Sequence, residues 1–302
     1  MPKHQLLTRG QIDDDRWNAT VLSDSHFRHY ALTYYLDHAS KDWSGLVGSD
    51  YQWVWPLPIK RNPLSRVVQP LLTQQLGPYG VTLESNALLE VWKWINEKHR
   101  KVRVKFNDKY QALPFPFTKH VNVELALNGS VDQMRSNYNR NVQGNLNKAV
   151  KASISTSVEN AFDPWAIQTF KAGRGRGISE LNEAFFKTVE DIYGAFERRN
   201  EACVYSALSE GEKVAQVMLL TTQNRLLFFF SASNEIARNK GAMHAILDRI
   251  ISDHCGSIKV LDFEGSNNEQ LAFFYKSFGG DEKVYLQADG DRLIWPLNQL
   301  LK

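Results

Sequence analysis

Residues 225–265 read RLLFFFSASNEIARNKGAMHAILDRIISDHCGSIKVLDFEG, and this stretch decides the fold. RLLFFFSAS (225–233) is an unbroken apolar run of strand length. A polar loop, SNEIARNK, then leads into GAMHAILDRIISDH (241–254), whose apolar residues recur at helical spacing. IKVLDFEG (258–265) is a second strand. Upstream, CVYSALS (203–209) and KVAQVMLLTT (213–222) are strands separated by tight turns. Before them LNEAFFKTVEDIYGAFERR (181–199) forms an amphipathic helix with Phe185, Val189, Ile192 and Phe196 inward.

The same order occurs earlier in the chain. DSHFRHYALTYYLDH (24–38) places Phe27, Tyr30, Ala31, Tyr34 and Tyr35 on one helical face, with Ser23 as its cap. WSGLVG (43–48), YQWVWPLPIK (51–60) and the Pro- and Gly-punctuated RVVQPLLTQQLGPYG (66–80) are extended. ALLEVWKWINEKH (87–99) is helical with Leu88, Val91, Trp92 and Ile95 inward, and VRVKFND (102–108) is a strand. Helix, strand, strand, strand, helix, strand therefore occurs in both 24–108 and 181–265. The steps WKWINEKHRKVRVKFND and LDRIISDHCGSIKVLDFEG look alike. The pattern predicts an α/β protein with mixed sheets and a duplicated architecture. Its expected parts are residues 1–128, a connecting segment 129–170, and residues 171–302. One large α/β domain with insertions is the alternative. In the connection, VNVELAL (121–127) is a strand and Ser130-Val131-Asp132-Gln133 has the capping-box pattern. It opens a long helix with Met134, Tyr138, Val142, Leu146 and Val150 on one stripe and Arg135, Arg140, Lys148 and Lys151 on the other face. ISTSVE (154–159) is a strand, and Asp163-Pro164 starts a further helix. NNEQLAFFYKSFG (267–279) is a short helix, and VYLQ and RLIWPL are closing strands.

The chain has 302 residues, enough for roughly two domains with real cores. Its two cysteines, Cys203 and Cys255, are far apart, which excludes a disulfide framework or a Cys-rich zinc module. A net charge of +3 permits phosphate-bearing partners without demanding them. The beginning, MPKHQLLTRGQIDDD, has no apolar signal core, and no window reaches the roughly 18 apolar residues of a membrane span. The expected location is the cytoplasm. GxSxG, Walker, GxGxxG and HExxH patterns are all missing. His26 and His29 stand i,i+3 with no third ligand in the sequence, which favours surface histidines over a metal site.

The second half carries the stronger chemical signals. Arg238 and Lys240 precede Gly241 at a helix start, where unpaired N–H groups suit a phosphate; an ordinary loop explains the same residues. Asp262, Phe263 and Glu264 end a strand, where α/β sheets bind ligands, and Glu264 is a candidate base. A capping role for Glu264-Gly265-Ser266-Asn267 is the competing account. FFYKSFGG (273–280) surrounds Lys276 with aromatics, which suits a snorkelling lysine or one that meets a phosphate or oxyanion. KAGRGRGI (171–178) is a Gly/Arg loop that lids a cleft or is a solvated turn.

Three stretches resemble the Fem-type (FemABX) aminoacyl- and acyltransferases, which are built from two GNAT-like domains. They are YNRNVQGNLNKAVKASIS (138–155), FFFSASNEIARNKGAMHAILDRII (228–251) and LDFEGSNNEQLAFFYKSFGGDEKVYL (261–286). The second contains an Arg238-x-x-Gly241 phosphate-loop pattern, and the third is similar to a C-terminal DFxGS…FKxGFG signature. The resemblance implies two tandem GNAT-like domains and transfer of an acyl or aminoacyl group to an amine. No cofactor is held permanently; acyl-CoA or aminoacyl-tRNA is the donor. The acceptor is a small-molecule or cell-wall-precursor-like amine, and tRNA is a possible partner. Lys276, Tyr275 and Glu264 are the implied catalytic residues. Ser231, Ser233, Arg238, Lys240 and Gly241 hold the carrier, with backbone N–H groups around Ser231–Ser233 serving the oxyanion. Arg174, Arg176 and Arg140 face substrate. Met243 stands where the family has a small residue, and Gly144 and Asn145 stand where it has basic ones. These departures favour a rival class, a non-catalytic GNAT-like pair that binds a nucleotide- or lipid-linked ligand. An RNA-binding protein that uses the basic face of 135–151 is a third class, set against by the small net charge.

Overall fold

The computed structural model describes residues 4–61, 64–264 and 268–291. The chain forms two compact units, one of residues 1–120 with 284–302, the other of residues 121–283. The expected connection 129–170 therefore belongs to the second unit, and the final strand belongs largely to the first. RLIWPL (292–297) lies outside the described residues.

In the first unit the elements run β1 (His4–Thr8), α1 (Asp14–Ser23), α2 (Thr33–Ala39), β2 (Trp43–Gly48), β3 (Trp53–Lys60), β4 (Arg66–Val68), β5 (Tyr79–Gly80), α3 (Ser85–Lys98) and β6 (Lys101–Lys105). The helix expected over 24–38 is broken. Ser23 is the last residue of α1 rather than a cap, and 24–28 is not helical. The Asp24 carboxylate accepts from the backbone of His26 and of Gly80, which ties this segment into a turn. His29 is buried at 1% exposure, so the surface reading fails for it. His26 pairs with Asp108 at 3.1 Å. The core packs Trp55, Leu57, Val67, Leu88, Val91, Ile95, Val102 and Phe106 between sheet and helix.

The second unit continues with β7 (Thr118–Ala126), α4 (Val131–Ser136), α5 (Arg140–Lys151), β8 (Ser155–Glu159), α6 (Trp165–Ala172), α7 (Glu183–Glu197), β9 (Ala202–Ser209), β10 (Glu212–Thr221), β11 (Arg225–Ser233), α8 (Glu235–Lys240), α9 (Ala242–His254), β12 (Val260–Asp262) and α10 (Glu269–Lys276). The capping box at Ser130 forms as expected. The long helix it was to open is two helices, because Asn139 starts a new one by accepting from Val142 N and donates its own N–H to Ser277 O. Val150, placed on the inward stripe, is 77% exposed. The strand expected over 258–265 is only the three residues of β12.

A last strand, β13 (Asp281–Asp291), pairs antiparallel with β6 from Gln287↔Lys105 to Asp291↔Lys101. The first unit's sheet thus runs β1-β2-β3-β4-β6-β13, and the second's β8-β9-β10-β11-β12-β7. Each has one parallel pair, β4/β6 or β11/β12, among antiparallel neighbours. From β1 to β6 and from β8 to β12 the chain order is also shared: strand, two helices, three strands, helix, strand, with the two-residue β5 and the short α8 as insertions; α4, α5 and α10 belong to the second unit alone. The protein is a mixed α/β chain with a duplicated architecture. Each unit's sixth strand is encoded beyond its own repeat, β13 after the second and β7 after the first.

In the second unit three strands meet at a buried ion cluster. Arg225 at the start of β11 donates to Glu124 of β7 at 2.8 Å and to Asp262 of β12 at 3.1 Å. Asn122 of β7 donates to the other oxygen of Asp262 at 2.7 Å. Arg225→Ala would strand two buried carboxylates. It is expected to lower unfolding free energy by about 3–5 kcal/mol, read by chemical denaturation; a loss below about 1 kcal/mol would refute the pinning role.

Candidate functional site

Strand β11 pairs with β12 over three residues only, Arg225↔Val260 to Leu227↔Asp262, and then continues to Ser233 without it. On its other side β11 stays paired with β10, with a bulge opposite Met218/Leu219. The bulge changes which groups face the free edge. Val260 N donates to Asn224 O, so 224, 226 and 228 present their main-chain groups to β12. Asn234 N donates to Val214 O, so 234, 232 and 230 present theirs to β10. The alternation switches at Phe229, the extra residue of the bulge. The main-chain N–H groups of Ser231 and Ser233 therefore face the edge that β12 has left.

A cavity of about 760 Å³ lies in the second unit beside this edge. Ser231, Ala232 and Ser233 line it from β11, and Thr169 and Phe170 from α6. Arg238 of α8, Met243 and His244 of α9, and Leu271, Phe274 and Tyr275 of α10 also line it, as does Arg174. Among the described residues its lining holds two arginines and no carboxylate. The wall chemistry is thus aromatic and cationic, which suits an anionic ligand with a planar part.

Tyr275 stacks on Phe263 at 4.4 Å between ring centroids, which fixes its ring. Its hydroxyl has no hydrogen-bond partner among the described residues. Burial, and next the Glu264 carboxylate, push its pKa up, against a smaller pull from Arg174, so the phenol stays protonated. Glu264 has a left-handed backbone (φ 53°), and its N–H donates to Asp262 Oδ1 at 3.1 Å. The same Asp262 that meets Arg225 therefore also sets the chain direction after β12.

Of the residues expected at a site, Ser231, Ser233, Arg238, Arg174 and Tyr275 come together around the cavity. Glu264 is off the lining, though its charge helps raise the Tyr275 pKa. The others are off it too. Lys276 Nζ donates to Glu282 Oε1 at 2.7 Å. Lys240 Nζ donates to Ser209 Oγ at 2.9 Å and Glu210 Oε1 at 3.1 Å. Arg140 and Arg176 are exposed. Gly241 (φ 73°) joins α8 to α9, and a Cβ there would collide with the Asn145 carbonyl of α5. Its glycine requirement is thus one of close helix packing. Gly265, Ser266 and Asn267 lie outside the described residues. Sequence reasoning missed Thr169 and Phe170, which reach the cavity only through the packing of α6 on β11 (Phe170–Phe230, 5.2 Å). It also missed His244, whose one signal is its place three residues after Gly241.

No protein-family model matches the sequence, and no curated protein matches it. Solved structures do. FemX is similar at 13% identity over 99% of both chains, with a TM-score of 0.67. L-PGS from Bacillus licheniformis is similar at 13% identity over 96% of this chain and 95% of its own, TM-score 0.54. A tandem GNAT protein from the clavulanic acid biosynthesis pathway, solved without AcCoA, is similar at 10% identity over 97% and 100%, TM-score 0.54. At these identities the likeness is one of fold. The chain has a Fem-like tandem GNAT-type fold. No helix among the described residues is long and apolar enough to cross a membrane.

Burial, and next Lys148, push the His244 pKa down to about 4. The unfolded chain then takes up the proton more readily than the folded one, so this group's contribution is intact above about pH 6.5 and is lost as pH falls toward 4. Between pH 7.5 and 4.5, His244→Phe is expected to lose less stability than the parent, measured by denaturation midpoints. Equal losses would show that His244 does not titrate in this way.

Proposed function

We propose that the protein transfers an acyl or aminoacyl group from a phosphate-bearing carrier to an amine. The observation that carries this reading is the free edge of β11, whose Ser231 and Ser233 N–H groups face away from β10 beside the cavity. Preorganised backbone donors at a carbonyl are what a tetrahedral oxyanion needs. The two arginines supply charge for a carrier phosphate, and Phe228, Phe274 and Tyr275 supply faces for a planar group. The carrier is acyl-CoA or aminoacyl-tRNA, bound as a substrate rather than held. The acceptor is an amine on a small molecule or a cell-wall-like precursor, and the setting is the cytoplasm.

In this scheme the amine nitrogen attacks the acyl carbon and the carbonyl electrons move onto oxygen. The oxyanion is met by the β11 donors. Collapse breaks the bond to the carrier oxygen or sulfur, which takes a proton from the Tyr275 hydroxyl. The proton lost by the amine goes to Glu264 or water. Protonated, ring-stacked and without a hydrogen-bond partner among the described residues, Tyr275 suits the acid role. Lys276 enters as a counter-charge that exchanges Glu282 for carrier phosphate.

A binding-only protein is the second reading. Met243 on the cavity wall and the Asn145 carbonyl against Gly241 both narrow the approach to the start of α9, where a pyrophosphate would sit. Donor panels of acetyl-CoA and aminoacyl-tRNA with amine acceptors separate the two. Under single-turnover conditions Tyr275→Phe is expected to lower the transfer rate by about 10²–10³-fold. Arg174→Ala and Arg238→Ala should each raise the donor KM about tenfold, more at low salt. Lys276→Ala should raise the donor KM by a similar factor; unchanged kinetics would remove Lys276 from the scheme. Donor binding with no transfer to any amine would favour the second reading.

A further inference from the structure

The imidazole of His244 has no role in the scheme above, and its surroundings do not account for it. It stands in the first turn of α9 and lines the cavity. Its ring meets Phe274 edge-on at 5.0 Å and lies 5.8 Å from Phe278, both contributed by the α10 end of the unit. Neither ring nitrogen has a hydrogen-bond partner among the described residues, and Nε2 is buried. Buried polar nitrogens in native proteins almost always have a partner, so the bare Nε2 calls for one that is not part of the chain, and Nδ1 is open to one. No carboxylate among the described lining residues is placed to orient the ring as a base.

We infer that His244 is a ligand-contacting residue, a neutral imidazole that donates a hydrogen bond from its ring N–H to an oxygen of the bound acyl donor. This rests on the transfer reading proposed above. Three features favour donation by a neutral ring over proton abstraction by a base. The aromatic flank gives an imidazolium no counter-charge. The positive end of α9 disfavours a cation in its first turn. The charged group acting on the ring from α5 is Lys148, also a cation. A ring held neutral keeps one N–H to donate at every pH at which the protein is folded and the amine acceptor is active. It therefore acts beside the β11 donors, from the helix side of the cavity.

The consequence is a substitution pattern that a packing role would not give. His244→Phe keeps the aromatic wall and removes the donor; His244→Gln keeps a donor and loses the ring. The probes are 3′-O-acetyl-adenosine 5′-monophosphate and acetyl-CoA, which share an acyl carbonyl, a phosphate and an adenine but differ in carrier. With whichever probe binds, His244→Phe is expected to bind about tenfold more weakly or to transfer about tenfold or more slowly, and His244→Gln to recover most of that loss. In the parent, adding the probe should shift the His244 ring resonances and leave the tautomer signature of a neutral imidazole. Binding that is equal in all three proteins, with unchanged His244 resonances, would overturn the inference and leave the transfer reading standing. Binding that charges the imidazole would also overturn it. If neither probe binds the parent, both fall together.

Discussion

A guanidinium shared by two carboxylates, with almost no water to screen it, holds the second unit at the place where its sheet divides. Arg225, Glu124 and Asp262 are 5%, 5% and 0% exposed. Such a cluster is weak evidence for net stability, since desolvation offsets most of the attraction, but it is demanding about geometry. It fixes β11, β12 and β7 in register at one end and leaves β11 free to part from β12 beyond Leu227. The bulge at Phe229 then turns two main-chain donors outward. The cavity, its open edge and the direction of the chain at Glu264 all follow from that junction.

The duplication gives a comparison inside one molecule. Beyond the end of β12 the second unit has a cavity. Beyond the end of β6 the first has fully buried Arg28, Tyr79 and Asn107. Arg28 meets Asp108 at 2.8 Å there, and the ammonium of Lys109 meets Asp24. The same strand order thus supports a packed polar core in one copy and a concave wall in the other. The difference lies in the side chains that follow the strand and in α8 and α10, which line the cavity and have no counterpart in the first unit.

Much of this was legible in the sequence because it depends on local periodicity. Apolar runs gave the β9–β10–β11 meander, helical spacing gave α3, α7 and α9, and their order gave the duplication. The errors have local chemical causes. Asp24 and Asn139 offer the backbone a side-chain acceptor, and each breaks a helix that hydrophobic spacing alone would continue. Part of the site was readable as motif: Ser231, Ser233, Arg238 and Tyr275 do meet at one cavity. Lys276 and Lys240 were equally good on motif but have found carboxylates elsewhere, at Glu282 and Glu210. Which ammonium faces a cavity and which is already paired is set by tertiary contacts with no fixed sequence spacing. The same holds for Thr169 and Phe170.

The exchange of sixth strands bears on how the chain leaves the ribosome. Everything the second unit's sheet requires has been made once residue 262 emerges. The first unit, although synthesised earlier, carries an unpaired edge along β6 until residues 287–291 arrive. An exposed strand edge invites pairing with other chains. The first unit's sheet cannot be completed until nearly the whole chain has been translated.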